Sequence, residues 1–229
     1  MTILSTLLKI DTDITLQVKY DDTIVEDSDL EWLESVLNEF DYDEALEEES
    51  IEVQVGWMPV LLVKENDHEY SFQELDFLDS VSADYTHSAT QTIQHIRLQI
   101  ALCESLETEL DHYEFSDLNH AMLVSDDVEK IENVYLFRTD QQGEFSGWVM
   151  NDLDTLEQFE PKNGKLISLY ELANRRADLV PYFALPVGYA VHIQSGDVVR
   201  IIENEQEMAI QPDSLLAHIN AQRQATDSV

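Results

Sequence analysis

Apolar residues recur along the chain in two rhythms, and each predicts a different element. From Ile14 to Tyr20 they alternate with polar residues (Ile14, Leu16, Val18, Tyr20), the period-two pattern of a strand with one buried face. Asp21-Asp22 reads as a turn, and Asp29 is a candidate helix cap, because its carboxylate can accept from the free amides of a first turn. Leu30, Leu33, Leu37 and Phe40 follow at helical spacing, with Glu31, Glu34 and Glu39 off the stripe. Trp32 sits between stripe positions, which places it half in and half out of the core. Alternation returns at Ile51, Val53, Val55 and Trp57, and Pro59 is expected to interrupt that strand. Val60 to Val63, a turn at Glu65-Asn66-Asp67, and His68 to Phe72 form a predicted hairpin. A long helix is expected from Thr90 to Tyr113, carried by Ile93, Ile96, Ile100, Cys103, Leu106 and Leu110.

Beyond this helix the elements become short. Phe115 to His120 reads as a hinge. Met122–Ser125, Val134–Arg138 and Phe145–Met150 are strand candidates, with a turn at Asp140 to Gly143 and another at Glu160 to Gly164. Leu166 to Arg176 has the spacing of a short amphipathic helix. Tyr189–Ile193 and Val198–Ile202 flank Ser195-Gly196-Asp197 as a hairpin, and Asp213 to Arg223 is a last helix candidate. The fold class expected is α+β: two small α+β units, residues 1–115 and 116–229, each a mostly antiparallel sheet with packed helices.

Charge changes this picture more than any other compositional feature. The 229 residues include 48 acidic and 12 basic side chains, a net of −36. Residues 1–115 hold 29 acidic and 4 basic residues, and residues 116–229 hold 19 and 8, so the first half is the more acidic. Such a chain repels phosphate backbones and anionic membranes, and steers cationic proteins toward itself. Direct nucleic-acid or membrane binding is therefore not expected, and a basic partner is. The densest run, Asp41 to Glu52, supplies Asp41, Asp43, Glu44, Glu47, Glu48 and Glu49 as candidate contact or steering groups. Trp32 joins them as a candidate aromatic anchor.

Candidate reaction chemistry is sparse. Cys103 is the one cysteine, so no internal disulfide can form, which suits a reducing, cytoplasmic compartment. The N-terminal MTILSTLLKIDTD places Lys9 after its apolar run, unlike a secretory leader. No stretch of about 18 apolar residues could cross a membrane. The seven histidines include no HExxH, and the acidic run lacks the glycine of a calcium loop. No catalytic residue, metal ligand or cofactor is assigned on these patterns, and a non-enzymatic binding protein is expected.

A set of short pieces in the second half carries a resemblance. They are Leu123-Val124-Ser125, Val134-Tyr135-Leu136-Phe137-Arg138, Ser146-Gly147-Trp148, Pro161-Lys162-Asn163, Leu169-Tyr170-Glu171-Leu172-Ala173, Asp178 to Phe183, and Leu185-Pro186-Val187-Gly188-Tyr189-Ala190. In this order and spacing, Met122 to Ile193 resembles the bacterial immunity protein 33 domain family. Thr139-Asp140 departs from it where further acidic residues often follow the arginine. The resemblance implies an antidote that binds a cognate toxin or effector domain in interbacterial competition, and a basic nuclease domain would suit the acidity. The motif residues Ser125, Arg138, Gly147, Trp148, Pro161, Asn163, Pro181, Pro186 and Gly188 read as structural: glycines for unusual backbone angles, prolines for bends, Trp148 and Phe183 for the core. The alternative reading is a nucleic-acid-mimicking inhibitor of DNA- or RNA-binding proteins. A small-ligand regulator or an unrecognised enzyme stands behind both.

Overall fold

The computed structural model describes every residue except 1–2, 11–13, 41, 43–47, 78–83, 108–112, 159, 196 and 227–229. Its contacts divide the chain into Met1–Ile96 and Arg97–Val229.

The first unit contains β1 (Ile3–Lys9), β2 (Thr15–Asp21), α1 (Asp27–Leu37), β3 (Ser50–Val55), β4 (Met58–Asn66), β5 (Glu69–Leu75), β6 (Tyr85–Thr86) and the start of α2 (Thr90–Cys103). The sheet order is β1-β2-β5-β4-β3, with β6 on β5. The β2–β5 pair is parallel, and the other pairs in this sheet are antiparallel among the described residues.

Local chemistry explains most of these boundaries. At α1 the N-cap is Glu26, and Asp29 serves three residues in: its carboxylate accepts the Glu26 N–H at 2.8 Å, half of a capping box. Leu30, Leu33 and Leu37 are buried as the stripe requires, and Trp32 is half-buried. The break expected at Pro59 falls earlier. Gly56, at φ +60°, takes the first position of a two-residue turn that pairs Val55 with Met58. Pro59 lies within β4 opposite Gln54, one residue before pairing with β5 begins at Val60. Strand β1 was not expected from the sequence. Trp57, Leu16, Val18, Leu33, Leu62, Phe72 and Ile93 are among the fully buried residues of this unit.

The second unit begins inside α2, which ends at Cys103 rather than continuing to Tyr113. Ser105 closes the helix end by donating its hydroxyl to the Ala101 oxygen (2.7 Å), while its main-chain oxygen accepts from Gln211 N–H (2.8 Å). Leu106 forms a bridge with Ile210, so this segment is extended; Leu110 lies outside the described residues. The remaining elements are β7 (Ala121–Val124), β8 (Val134–Arg138), β9 (Phe145–Asp152), β10 (Lys165–Ser168), α3 (Leu169–Arg175), β11 (Tyr189–Ile193), β12 (Arg200–Glu203), β13 (Gln206–Glu207) and α4 (Leu215–Thr226). They form a sheet of order β10-β7-β9-β8-β11-β12-β13, antiparallel except at β7–β9. The helix expected over Leu166–Arg176 is a strand followed by a helix: Ser168 ends β10 and its hydroxyl accepts the Glu171 N–H at 3.0 Å, starting α3. Each unit is thus α+β, built on a mostly antiparallel sheet.

Candidate partner-binding surface

The acidic candidates divide between described and undescribed positions. Glu48 and Glu49 are exposed immediately before β3, and Glu49 is anchored through its carbonyl, which accepts Lys64 N–H at 2.9 Å. Asp41, Asp43, Glu44 and Glu47 lie outside the described residues. Trp32 projects from α1, a helix whose first turn carries Asp27 and Asp29 and whose last turn carries no basic residue.

Local pairing engages four basic side chains of the second unit. Arg175 meets Asp127, Glu129 (3.3 Å) and Glu171 (3.0 Å); Arg176 meets Asp178 (2.9 Å); Arg200 meets Asp197; Lys162 meets Glu160 (2.8 Å). Cations engaged in this way are poorly placed to attract an anionic partner, while many carboxylates remain on the surface.

The motif residues do something different: several of them meet around one buried arginine. Arg138 ends β8, and its guanidinium donates to the main-chain oxygens of Glu114 (2.6 Å) and Leu185 (2.7 Å) and to Ser116 Oγ (3.1 Å). Burial pulls its pKa down, and the Glu114 carboxylate, 3.7 Å away, opposes that pull. Its Cζ lies 5.5 Å from the centre of the Trp148 ring, which meets Phe183 edge-on at 5.1 Å. The Arg138 carbonyl accepts Gly188 N–H at 2.9 Å, with Gly188 at φ +90°. Gly147 adopts φ +85°, and a Cβ there would stand 2.1 Å from the Thr139 oxygen. Arg138, Gly147, Trp148 and Gly188 therefore form one constellation that ties three chain segments together.

The other motif residues lie elsewhere. Ser125 and Asn163 border a cavity of about 310 Å3 whose charged lining is Asp126, Lys130, Asp152 and Glu160. Pro161 opens the short 3-10 turn that precedes Gly164. Pro181 lies within a 3-10 helix, Ala177–Ala184, and the Pro186 carbonyl accepts from Tyr189 N–H at 3.3 Å.

In the first unit a cavity of about 350 Å3 combines apolar walls, Tyr20, Ile24, Leu75 and Phe77, with Lys19, His87, Asp21, Glu74 and Asp76. Glu74 is buried and caps the start of α2, its carboxylate accepting the N–H groups of Gln91 (3.1 Å) and Thr92 (2.7 Å). Burial pushes its pKa up against these hydrogen bonds. At Asp21 the Thr23 N–H (3.0 Å) and hydroxyl (2.8 Å) hold the carboxyl below its ordinary range. Sequence reasoning did not single out this cavity, because its walls come from β1, β2, β5, β6 and α2.

Reactive groups are quiet by comparison. Burial pushes the Cys103 thiol up to about 12, so it stays protonated and weakly nucleophilic at neutral pH. His95 is buried between Trp57 (5.5 Å) and Phe77 (4.8 Å) and is held down to about 4 by desolvation. Among the described residues no group of three or more His, Cys, Asp or Glu could hold a metal ion, and no helix is long and apolar enough to cross a membrane.

No curated protein and no solved structure matches the chain. Residues 98–204 match the Imm33-like domain family. That span holds Ser125, the whole Arg138 constellation and the 3-10 helix that contains Pro181, and over it the chain is similar to the Imm33-like domain family.

Proposed function

We propose that this protein is a cytoplasmic immunity protein that binds a cognate antibacterial toxin and blocks its active site or its access to substrate. The observation that carries the reading is the Imm33-like domain at residues 98–204 in a chain of net charge −36. A basic toxin domain, such as a nuclease, is the partner that this charge would steer in, at rates that fall with salt. The protein acts by occupancy rather than by turnover, and the acidic surface around Glu48 and Glu49, with Trp32 as an anchor, supplies the contact.

The test is co-expression with the toxin domain encoded by the gene beside this one, followed by tagged purification at low and moderate salt. Rescue of growth and recovery of a single stoichiometric complex support the reading. The charge also suits a nucleic-acid mimic, which would instead recover many DNA- and RNA-binding proteins. Failure to rescue growth and to bind that toxin domain overturns the immunity assignment.

A further inference from the structure

Among the described residues, the outer strands of the two sheets are not equally protected. Strand β3 exposes Ser50, Glu52 and Gln54, a polar face that resists added strands; β10 is four residues long and opens with Lys165; β13 is two residues long. Strand β1 has little such protection. It is seven residues long, pairs with β2 in uninterrupted register, and exposes Ile3 (55%), Leu4 (41%) and Leu7 (59%). Long, regular, apolar edges are ones that natural proteins usually guard, because their free main-chain groups template another strand.

The hydrogen bonds show which main-chain groups point away from β2. Lys9 N–H donates to Glu34 Oε1 (2.9 Å), and the Lys9 oxygen accepts from Asn38 Nδ2 (3.0 Å), so the Lys9 main chain points away from β2 toward α1. By the alternation of an antiparallel ladder, Ile3, Ser5 and Leu7 point the same way, while Leu4, Thr6 and Leu8 bond to β2. Helix α1 thus closes one end of the edge, and among the described residues no main-chain partner faces Ile3, Ser5 or Leu7 on that side.

We infer that the β1 edge accepts an extended strand from the basic partner, adding it to the first unit's sheet by main-chain pairing at Ile3, Ser5 and Leu7. This rests on the immunity reading for the partner's identity. Charge selects that occupant over a second copy of this chain. Met1–Ile96 holds 24 acidic and 3 basic residues, and two copies would each bring a net charge of −36 to the seam. Ile3 also lines the cavity that holds Lys19 beside Asp21, Glu74 and Asp76. A strand alternating apolar and Lys or Arg side chains fits the edge and the charge: apolar groups cover Ile3 and Leu7, and the cations meet the acid excess of this unit.

The experiment uses the full chain, isotope-labelled, with the toxin domain encoded by the adjacent gene. In the free protein, the amides of Ser5 and Leu7 should exchange fast and those of Leu4, Thr6 and Leu8 slowly. In the complex, Ser5 and Leu7 should become protected. Ser5→Pro removes an outward N–H without touching the β2 ladder, and Leu7→Lys adds the edge charge that is missing. Each variant that keeps the wild-type melting temperature should weaken binding by about tenfold or more. Wild-type exchange at Ser5 and Leu7 in an otherwise tight complex overturns the edge inference alone, as does full affinity in both folded variants. Protection that appears with protein concentration, without toxin, assigns the edge to a second copy and also overturns it. Absence of any complex overturns the immunity reading and the edge partner with it.

Discussion

Arg138 Nη1 donates to the Leu185 carbonyl at 2.7 Å, a buried contact between residues 47 apart in the chain. The same nitrogen reaches the Glu114 carbonyl, and the second terminal nitrogen reaches Ser116, so one side chain fixes the end of β8 to two loops. An arginine fork suits this task because its donors are rigid and diverge in one plane. Arg138→Met would strand three acceptors and should destabilise the second unit by about 3–5 kcal/mol. Arg138→Lys keeps the charge but cannot span the three acceptors, so it should fall between wild type and Arg138→Met. Urea titration read by hydrogen exchange of peptides from residues 97–229 checks both.

Glycine substitutions should separate backbone angle from space. Gly143 (φ +58°) and Gly147 (φ +85°) both adopt left-handed backbone, but a Cβ at Gly143 meets nothing within 4 Å, whereas at Gly147 it would stand 2.1 Å from the Thr139 oxygen. Gly143→Ala should cost about 1 kcal/mol, the price of the angle alone. Gly147→Ala should cost well over that, because β8 and β9 must part at the Thr139–Gly147 hydrogen bond (2.9 Å). Thermal melts of the two variants, compared directly, test the ordering. A smaller loss at Gly147 than at Gly143 would contradict it.

Two buried groups of the first unit give opposite pH responses. His95 is held down to about 4 against an ordinary 6.5. As pH falls from 6.5 toward 4 the unfolded chain takes up a proton that the fold refuses, so stability is lost by about 3 kcal/mol across that window. Glu74 is raised above 4.5. There the fold binds the proton first, so stability is gained as pH falls through the folded pKa toward 4.5. His95→Phe, which keeps ring contacts with Trp57 and Phe77, should remove the acid loss. Glu74→Gln should remove the opposing gain and steepen the loss. Urea midpoints from pH 7 to 4 for the three proteins check the signs.

Elements held by local periodicity were legible in the sequence, and those held by distant partners were not. The Leu30, Leu33, Leu37 stripe marks α1, and the alternation of Ile51, Val53 and Val55 marks β3, because each buries a single face. Strand β1 escaped because an edge strand with Ile3, Leu4, Leu7 and Leu8 has apolar residues on both faces and no alternation. Leu166 mimics a helical position four residues before Tyr170, yet it is 66% exposed on β10, and the helix waits for the Ser168 cap. The motif around Arg138 was visible as a resemblance, but its physical role depends on carbonyls of Glu114 and Leu185 that no local pattern points to. The cavity beside Glu74 has the same cause: its lining comes from strands and a helix far apart in sequence.

Steering and anchoring should separate kinetically at the proposed interface. Glu48 and Glu49 are exposed, and exposed charges act mainly on the encounter rate, through a field that salt screens. A Glu48→Lys, Glu49→Lys variant should therefore associate with the toxin domain several-fold more slowly at low salt, show a shallower salt dependence, and approach the wild-type rate near 1 M salt, where the Debye length is about 3 Å. Its dissociation rate should change little. Trp32 is half-buried on α1, and an aromatic anchor acts after contact, through desolvated packing. Trp32→Ala should therefore raise the dissociation rate and leave the salt slope of association intact. Stopped-flow association and surface-immobilised dissociation across a salt series measure both. Wild-type association and wild-type salt slope in the Glu48→Lys, Glu49→Lys variant would remove these two carboxylates from the encounter and place the steering charge elsewhere on the molecule.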